Sequence, residues 1–300
     1  MSEQSLSSLE AIVAAELAAP AAAPVVAIAE AARAAHGQAV GAVLFYGSCR
    51  REGYREGQLV DLYLLVDDYA AVHGSVVMRW LNRLVPPNVY YLETNHAEGR
   101  VRAKYALVSL GQFERRMGSA TLNPYFWARF AQPTGLLWSR DRAVGNRVRA
   151  AMVRAIRTTA DAVRPLVGEK ADAATLWTRA LAESYRTELR AEKLDRAKSI
   201  ITGDLDRYRR VTAVLRPPAP AGSRGAAKRR WLWRRIQGKA LSILRLAKAS
   251  LTFAGGADYL AWKISRHAGV PVDFRPWERR HPVLAAPLVL WRLTRRGIVR

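Results

Sequence analysis

The chain has 300 residues, half of them hydrophobic, and carries 48 basic against 25 acidic residues, for a net charge of +23 at pH 7. This length and apolar content can form a sizeable core and suggest two domains rather than one. So large an excess of positive charge predicts an anionic partner, either nucleic acid, a phosphate-rich substrate or an acidic membrane surface. The single cysteine, Cys49, excludes an intramolecular disulfide and a thiolate metal cluster.

The N-terminal 36 residues are rich in alanine and are interrupted by Pro20 and Pro24. They predict a frayed helix followed by a second helix that packs behind a sheet. The first basic residue is Arg33, whereas export signals begin with basic residues and mitochondrial presequences are rich in arginine. The sequence therefore predicts neither kind of targeting segment.

Strand and helix patterns alternate from there to residue 140. Apolar and β-branched runs predict strands at Ala42 to Tyr46, Leu59 to Val66, Val89 to Leu92 and Val101 to Ser109, and a helical stripe runs from Val72 to Leu84. This order predicts an α+β fold with a small mixed sheet and helices packed against it.

Two of these strands carry residues that suit a nucleoside triphosphate. The first ends in Gly47-Ser48, where a glycine lets backbone N–H groups approach phosphates and a hydroxyl lies beside them. Asp61 opens the next strand and offers the hard oxygen ligand that Mg²⁺ prefers. This pattern is typical of a nucleotidyltransferase palm. A plain hairpin, with Gly47 a bulge and Asp61 an edge charge, explains these few residues equally well.

A second magnesium ligand is less evident. Polymerase-type palms usually alternate two carboxylates along one strand face, but the alternate position here is Tyr63. Asp67 lies about 20 Å from Asp61 along a straight strand at ~3.3 Å per residue. Glu93, at the end of an aromatic strand, is the better candidate if that strand lies beside Asp61. The alternative is that Glu93 is a solvated strand terminus.

Residues 142 to 214 follow a helical pattern, and a linker rich in proline and glycine follows at 217 to 223. These boundaries predict a palm domain at 1–140, a helical domain at 141–215 and a basic extension at 216–300. Residues 221 to 300 hold 18 basic and three acidic residues.

The extension begins with an amphipathic helix. Its predicted apolar stripe consists of Trp233, Ile236, Ala240, Leu244, Ala247 and Leu251. Basic residues are assigned to much of the remaining surface, namely Arg234, Lys239, Arg245 and Lys248. Such helices lie in lipid headgroup regions, so a membrane-surface anchor is the favoured interpretation. An ordinary surface helix and a basic-aromatic patch for nucleic acid are the alternatives, with nucleic acid the less favoured partner.

The order and approximate spacing of several motifs resemble those of the mitochondrial-type phosphatidate cytidylyltransferases, which are peripheral CDP-diacylglycerol synthases. The resemblance covers roughly residues 40 to 212. Its motifs are Tyr46-Gly47-Ser48, Val60-Asp61-Leu62, Val66-Asp67-Asp68, His73, Val89-Tyr90-Tyr91, Gly99-Arg100, Lys104 to Ser109, Arg129, Pro133, Ser184-Tyr185, Arg190, Glu192 and Lys198. The chain departs from the family at Cys49-Arg50, Val72 and Glu188, where the family has Gly-Val, Trp and Asp.

The resemblance implies a magnesium-dependent reaction of CTP with phosphatidate that yields CDP-diacylglycerol and pyrophosphate. It assigns Asp61 to magnesium and, with Lys104, to the catalytic residues. It assigns Gly47 and Ser48 to the triphosphate, Lys104 to a phosphate, and Arg129 or Arg190 to the phosphatidate headgroup. For Lys104 and the two arginines the alternative is a salt bridge or a solvated surface position. Tyr185 is also assigned to substrate binding, with packing as its alternative role.

A lipid substrate also implies a location. Phosphatidate stays in its bilayer, so the resemblance places the protein peripherally on the cytoplasmic face of a bacterial inner membrane. Two alternatives stay open: a nucleotidyltransferase for a non-lipid acceptor, whose activity would not depend on membranes, and a non-catalytic membrane or nucleic-acid binding protein on a palm fold, which would bind triphosphate without turnover.

Overall fold

The computed structural model describes residues 3–97, 99–168, 170–189, 194–215, 223–252 and 275–280, with four single positions near the C-terminus. The predicted site residue Arg190, most of the predicted linker and most of the extension after residue 252 lie outside these ranges. The fold class is α+β, as predicted, because a mixed sheet is covered by helices.

The described residues form a five-stranded sheet in the order β3-β4-β2-β1-β5. Its strands are β1 (Val40–Tyr46), β2 (Leu59–Val66), β3 (Asn88–His96), β4 (Gly99–Ser109) and β5 (Gly135–Ser139). β2 and β4 are parallel, and the other neighbouring pairs are antiparallel. Four strands were predicted; β5, a short edge strand after Pro133, was not.

Helices make up most of the remaining described chain. They are α1 (Glu3–Ala18), α2 (Ala23–Ala34), α3 (Ser48–Glu52), α4 (Val76–Leu84), α5 (Leu110–Arg116), α6 (Trp127–Phe130), α7 (Arg142–Val167), α8 (Ala173–Tyr185), α9 (Leu194–Thr202), α10 (Leu205–Val214), α11 (Arg224–Thr252) and α12 (Pro276–Arg280). The predicted helix from Val72 starts later, at Val76, because Ser75 caps it by accepting a hydrogen bond from the Met78 amide.

Both faces of the sheet are buried. Alternate residues of β1 and β2 point to opposite sides, so that Val43 and Leu62 pack under α2 while Leu44 and Tyr63 pack under the larger helical layer. That layer includes α1 and α5 to α10, and its core is continuous with the sheet. The boundary predicted at residue 140 is therefore not marked by a break in the core.

The C-terminal helix α11 is docked on this body. Trp231 is fully buried, its indole ring lies edge-on to Trp127, and its Nε1 donates a hydrogen bond to the Ala162 carbonyl at 2.9 Å. Gly238 permits a close approach, since a Cβ there would collide with the Thr187 carbonyl. α11 is thus part of the folded body over much of its length.

No single helix in the described part of the chain is long and apolar enough to cross a membrane. Residues 8–18 and 23–34, bent by 91° between them, pass the same test of length and composition only as a pair.

Candidate active site

The predicted Gly-Ser turn and carboxylate meet at one end of β1 and β2. Tyr46 pairs with Asp61 across these antiparallel strands, which places Gly47 directly beside the Asp61 side chain. Gly47 has a φ of 88°, and a Cβ built there would lie 2.7 Å from Asp61 Oδ2. Glycine is therefore required at this position for the backbone conformation and for the carboxylate that packs against it.

Lys104 lies next to Asp61 on the parallel strand β4, where the two residues are register partners. Its Nζ is 3.3 Å from Asp61 Oδ1, and both side chains are about one-quarter exposed, at 24% and 23%. The structure therefore brings together Gly47, Ser48, Asp61 and Lys104. An ammonium paired with a single carboxylate can also contact a phosphate that enters the site.

Arg129, on α6, lines the same site. It donates hydrogen bonds to the hydroxyls of Tyr63 at 3.3 Å and Tyr125 at 3.0 Å, and its other terminal nitrogen lies 3.6 Å from Glu188. Burial raises the pKa of Tyr63, so this phenol stays protonated. Tyr63, two residues after Asp61 on β2, thus accepts a hydrogen bond from an arginine and helps to orient it.

Glu93 does not lie beside Asp61, and the register expected for it is wrong. The neighbour of β2 is β4, and β3 lies one strand further out. Glu93 is paired with Arg102 in that register and binds Arg100 and Arg102 through its carboxylate. Two strand spacings of ~4.8 Å separate its strand from that of Asp61, so the two carboxylates cannot share a magnesium ion.

A pocket of about 540 Å³ is lined by Gly47, Ser48, Asp61, Lys104 and Arg129, among others. Its charged lining residues are six basic and two acidic, namely Arg51, Lys104, Arg129, Arg196, Arg245 and Lys248, and Asp61 and Glu188. Tyr185 also lines the pocket, while Ser184 beside it is buried. A binding role for Tyr185 stays a prediction. The excess of basic side chains suits a ligand with several negative charges.

α11 contributes two basic side chains to the pocket that its sequence pattern does not indicate. Arg245 lies over the Tyr125 ring, 3.8 Å from its centre, and donates from Nε to the Pro86 carbonyl at 2.9 Å. Among the described residues it has no carboxylate partner in ion-pair range. Its stacking and hydrogen bond hold a guanidinium at the pocket wall, where it can bind an anion.

Lys248 lies one turn further along the same face of α11. Its ammonium donates to Asn82 Oδ1 at 3.0 Å and to the Pro87 carbonyl at 2.9 Å, and also contacts the Val85 carbonyl. Burial, with Arg245 nearby, lowers its pKa to about 7. Only its tertiary contacts identify this side chain as part of the site, since its position in the helix pattern is that of an ordinary surface lysine.

Cys49 and His73, near the site in sequence, have structural roles. Burial, together with the charge of Asp61, raises the pKa of the Cys49 thiol to about 11, so it is not a nucleophile at neutral pH. His73 is buried against the amides of Asn82 and Asn88, and burial lowers its pKa.

The residues at the pocket fit a magnesium ion that is bound jointly by the protein and by substrate phosphates. No group of three or more histidine, cysteine, aspartate or glutamate side chains among the described residues could hold a metal alone. Mg²⁺ in phosphoryl-transfer sites is commonly bound by one or two carboxylates together with substrate phosphates. Asp61 beside the Gly47-Ser48 turn matches that arrangement, with the substrate's phosphates completing it.

Comparisons with known proteins add little to this geometry. No protein-family model matches the chain, and no curated protein matches it. Solved structures that resemble it include a nucleotidyltransferase-like protein from Exiguobacterium sibiricum 255-15, with 14% sequence identity, 90% of each chain covered and a TM-score of 0.25. A TM-score this low does not establish a common fold, so any functional assignment depends on the site itself.

Proposed function

We propose that this protein is a magnesium-dependent nucleotidyltransferase that transfers a cytidylyl group from CTP to phosphatidate, giving CDP-diacylglycerol and pyrophosphate at a membrane surface. The observation that carries the proposal is the single pocket that joins the Gly47-Ser48 turn, Asp61 and Lys104 to a set of basic side chains. The choice of cytosine and of phosphatidate comes from the sequence resemblance.

The triphosphate would bind at the end of β1. Gly47 leaves room for phosphate oxygens beside the backbone, and the Ser48 hydroxyl, Arg51 and Lys104 supply donors and positive charge. Bound magnesium would be held by Asp61 and the phosphates and would neutralise charge that develops on them. Lys104 is held beside Asp61 and remains close enough to contact the same phosphates.

The acceptor would bind at the opposite wall. Arg245 is oriented by Tyr125 and Pro86, and Arg129 is oriented by Tyr63 and Tyr125, so two guanidinium groups are held in place at the pocket. A phosphate monoester carries two negative charges or nearly so at neutral pH. Its affinity for these arginines would place one of its oxygens toward the α-phosphorus of CTP.

The reaction then needs no dedicated general base. An ionised phosphatidate oxygen attacks the α-phosphorus, a new P–O bond forms, and the bond from the α-phosphorus to the bridging oxygen of the β-phosphate breaks. Pyrophosphate leaves with that oxygen and the associated electron pair. Catalysis by this chain is positioning and charge neutralisation, for which six basic side chains line the pocket.

The outer face of α11 supports a lipid acceptor. Its inner face, with Arg245 and Lys248, lines the pocket, whereas Trp233, Ile236 and Leu244 are exposed on the other side. An amphipathic helix with exposed tryptophan and nearby arginine and lysine residues is suited to an anionic membrane surface. One helix would therefore contact the bilayer and form a wall of the site for its lipid.

Pyrophosphate release tests the proposal. The purified protein would be incubated with magnesium and each of the four nucleoside triphosphates, with and without phosphatidate vesicles, beside an Asp61→Asn variant. We expect release with CTP that requires phosphatidate and is lost in the variant. Release without lipid would favour a non-lipid acceptor, and triphosphate binding without release would contradict an enzymatic role.

A further inference from the structure

A second, smaller cavity lies away from the catalytic pocket. It has a volume of about 330 Å³ and lies between α5, the segment 121–123 and α11. Its lining includes Arg115 and Arg116 together with the amide side chains of Asn123 and Gln237, and it includes no acidic residue. Its charged lining residues are both basic, and the amide side chains and the Thr121 hydroxyl can each donate a hydrogen bond as well as accept one.

The charge of this cavity is not balanced within the described protein. Arg115 and Arg116 form no ion pair with any described residue, and the neighbouring acid, Glu114, is paired with Arg147 on α7. Arg116 Nε is buried and has no hydrogen-bond partner. Burial, with Arg245 close by, lowers the pKa of Arg116, which nonetheless remains a cation at neutral pH.

Several other polar groups around the cavity already form hydrogen bonds within the protein. Arg234 Nε donates to the Leu122 carbonyl at 3.1 Å, Gln112 is bonded at both ends, and Asn123 Oδ1 accepts from the Tyr125 amide. These contacts fix the walls and leave Arg115 and Arg116 facing the cavity. Arg115 is exposed and Arg116 is partly buried, so the unfavourable feature is the buried Arg116 Nε that has no partner. An anion with several acceptor oxygens would supply that partner and pair with both guanidinium groups.

We propose that this cavity is a second anion site that binds a phosphate group through Arg115 and Arg116. Planar guanidinium groups bind tetrahedral phosphate oxygens in pairs, and Arg115 and Arg116 offer such contacts in a cavity with no acidic lining residue. Arg115 also lines a neighbouring pocket that contains Asp67 and Asp68, so Arg116 is the side chain specific to this site. The phosphate could be free or part of a phospholipid headgroup, because Leu241 lines the cavity and the next residues of α11, such as Leu244, are exposed. The site is distinct from the catalytic pocket and does not depend on the proposed reaction.

The test is a titration of the full-length protein with inorganic phosphate, followed by NMR of arginine side-chain Nε–Hε signals. The Arg116 signal is assigned by its absence in Arg116→Lys. We expect a saturable shift of this signal with phosphate, unchanged in Lys104→Gln, which weakens the catalytic pocket. A drift that chloride reproduces at equal ionic strength, or a shift that disappears in Lys104→Gln, would overturn the proposal.

Thermal unfolding gives a second readout. Phosphate should raise the Tm of the wild type and of Arg154→Gln, an exposed arginine on α7 that serves as the charge-matched control. It should have at least a tenfold weaker effect, judged by the phosphate concentration needed, on Arg116→Gln. Equal effects on Arg116→Gln and the control would contradict the site.

Vesicles identify the source of the phosphate. Binding to phosphatidylcholine vesicles with and without phosphatidylglycerol would be compared in Arg116→Gln and Arg154→Gln. A greater loss for Arg116→Gln supports the site with a lipid headgroup as ligand. If Arg116→Gln loses only the response to inorganic phosphate, the site binds a soluble phosphate. If the two variants do not differ in either the phosphate titration or vesicle binding, the proposed site is overturned.

Discussion

At the residue scale, the site depends on a close contact between a glycine and a carboxylate. Gly47 takes a backbone conformation that favours glycine, and the absence of a Cβ lets Asp61 lie against it. The neighbouring Lys104 is supplied by the register of a parallel strand rather than by sequence proximity. The geometry at this end of the pocket therefore follows from two paired strand positions, Asp61 and Lys104, and from the glycine that follows β1.

Gly47→Ala should abolish most of the pyrophosphate release. The new methyl group would displace the Asp61 carboxylate, and we expect a loss of about tenfold or more, or ~1.4 kcal/mol in activation free energy. Gly53→Ala is the matched control, because Gly53 also has a positive φ of 82° but its Cβ would meet nothing within 4 Å. Both variants should lose roughly 1 kcal/mol of stability. Equal turnover in the two variants would show that the contact with Asp61 is unimportant.

Lys248 should make nucleotide affinity depend on pH. Its pKa is about 7, so the ammonium is charged below that pH and attracts a polyanion, and CTP affinity should fall as the pH rises through about 7. Among the neighbouring groups, Arg245 stays charged and His73 has a lowered pKa, so neither reverses this sign.

Calorimetric titration with CTP at several pH values would measure this effect. Ionisation of the nucleotide itself is the same for both proteins, so the difference between wild type and Lys248→Met isolates the lysine. We expect the wild type to lose affinity several-fold relative to the variant across this pH range. Parallel profiles for the two proteins would contradict a charge on Lys248 that contacts the ligand.

At the element scale, α11 lines the pocket of the candidate active site with one face and exposes apolar side chains on the other. Three of the four basic side chains assigned to its polar exterior, Arg234, Arg245 and Lys248, point into the protein instead. Backbone carbonyls and aromatic rings accept these cations, so the helix docks through its basic side while apolar side chains remain exposed. The expected apolar stripe is present, but it is not the face that packs.

Loss of the exposed apolar side chains should weaken membrane binding without affecting the fold. We expect Trp233→Gln with Leu244→Gln to reduce binding to anionic vesicles by roughly tenfold or more, since burying one large apolar side chain is worth ~1.5–3 kcal/mol. Val26→Gln on α2, 48% exposed in the wild type, is the control for an exposed apolar residue elsewhere. Sedimentation with vesicles measures binding, which should also weaken with salt. Unchanged binding in the double variant would exclude this face of α11.

The sequence predicted elements well where the pattern was local. β2 was predicted with its observed bounds because Leu59 to Val66 is an apolar run that only Asp61, at its third position, interrupts. The register of the sheet is not local: β4 lies parallel to β2 after an intervening hairpin strand, which separates Glu93 from Asp61. The sequence pattern likewise did not predict which face of α11 packs against the protein. A basic side chain that binds a buried carbonyl cannot be distinguished by sequence from one that is exposed to solvent.

At the scale of the whole molecule, part of the net charge of +23 lines two cavities. The pocket of the candidate active site has four more basic than acidic lining residues, and the smaller cavity has no acidic lining residue. Charge of this sign and placement suits phosphate ligands and an anionic surface together. The composition predicted an anionic partner, but only the fold shows that the charge lines enclosed sites as well as the exterior.

The most direct test of the central claim is the transfer of label from CTP to lipid. The protein would be incubated with magnesium, phosphatidate vesicles and CTP labelled at the α-phosphorus, and the lipid phase would be extracted and its product identified. We expect labelled CDP-diacylglycerol from the wild type and none from Asp61→Asn. Label that stays in the aqueous phase with the wild type, although vesicles and CTP are both bound, would contradict the proposed reaction.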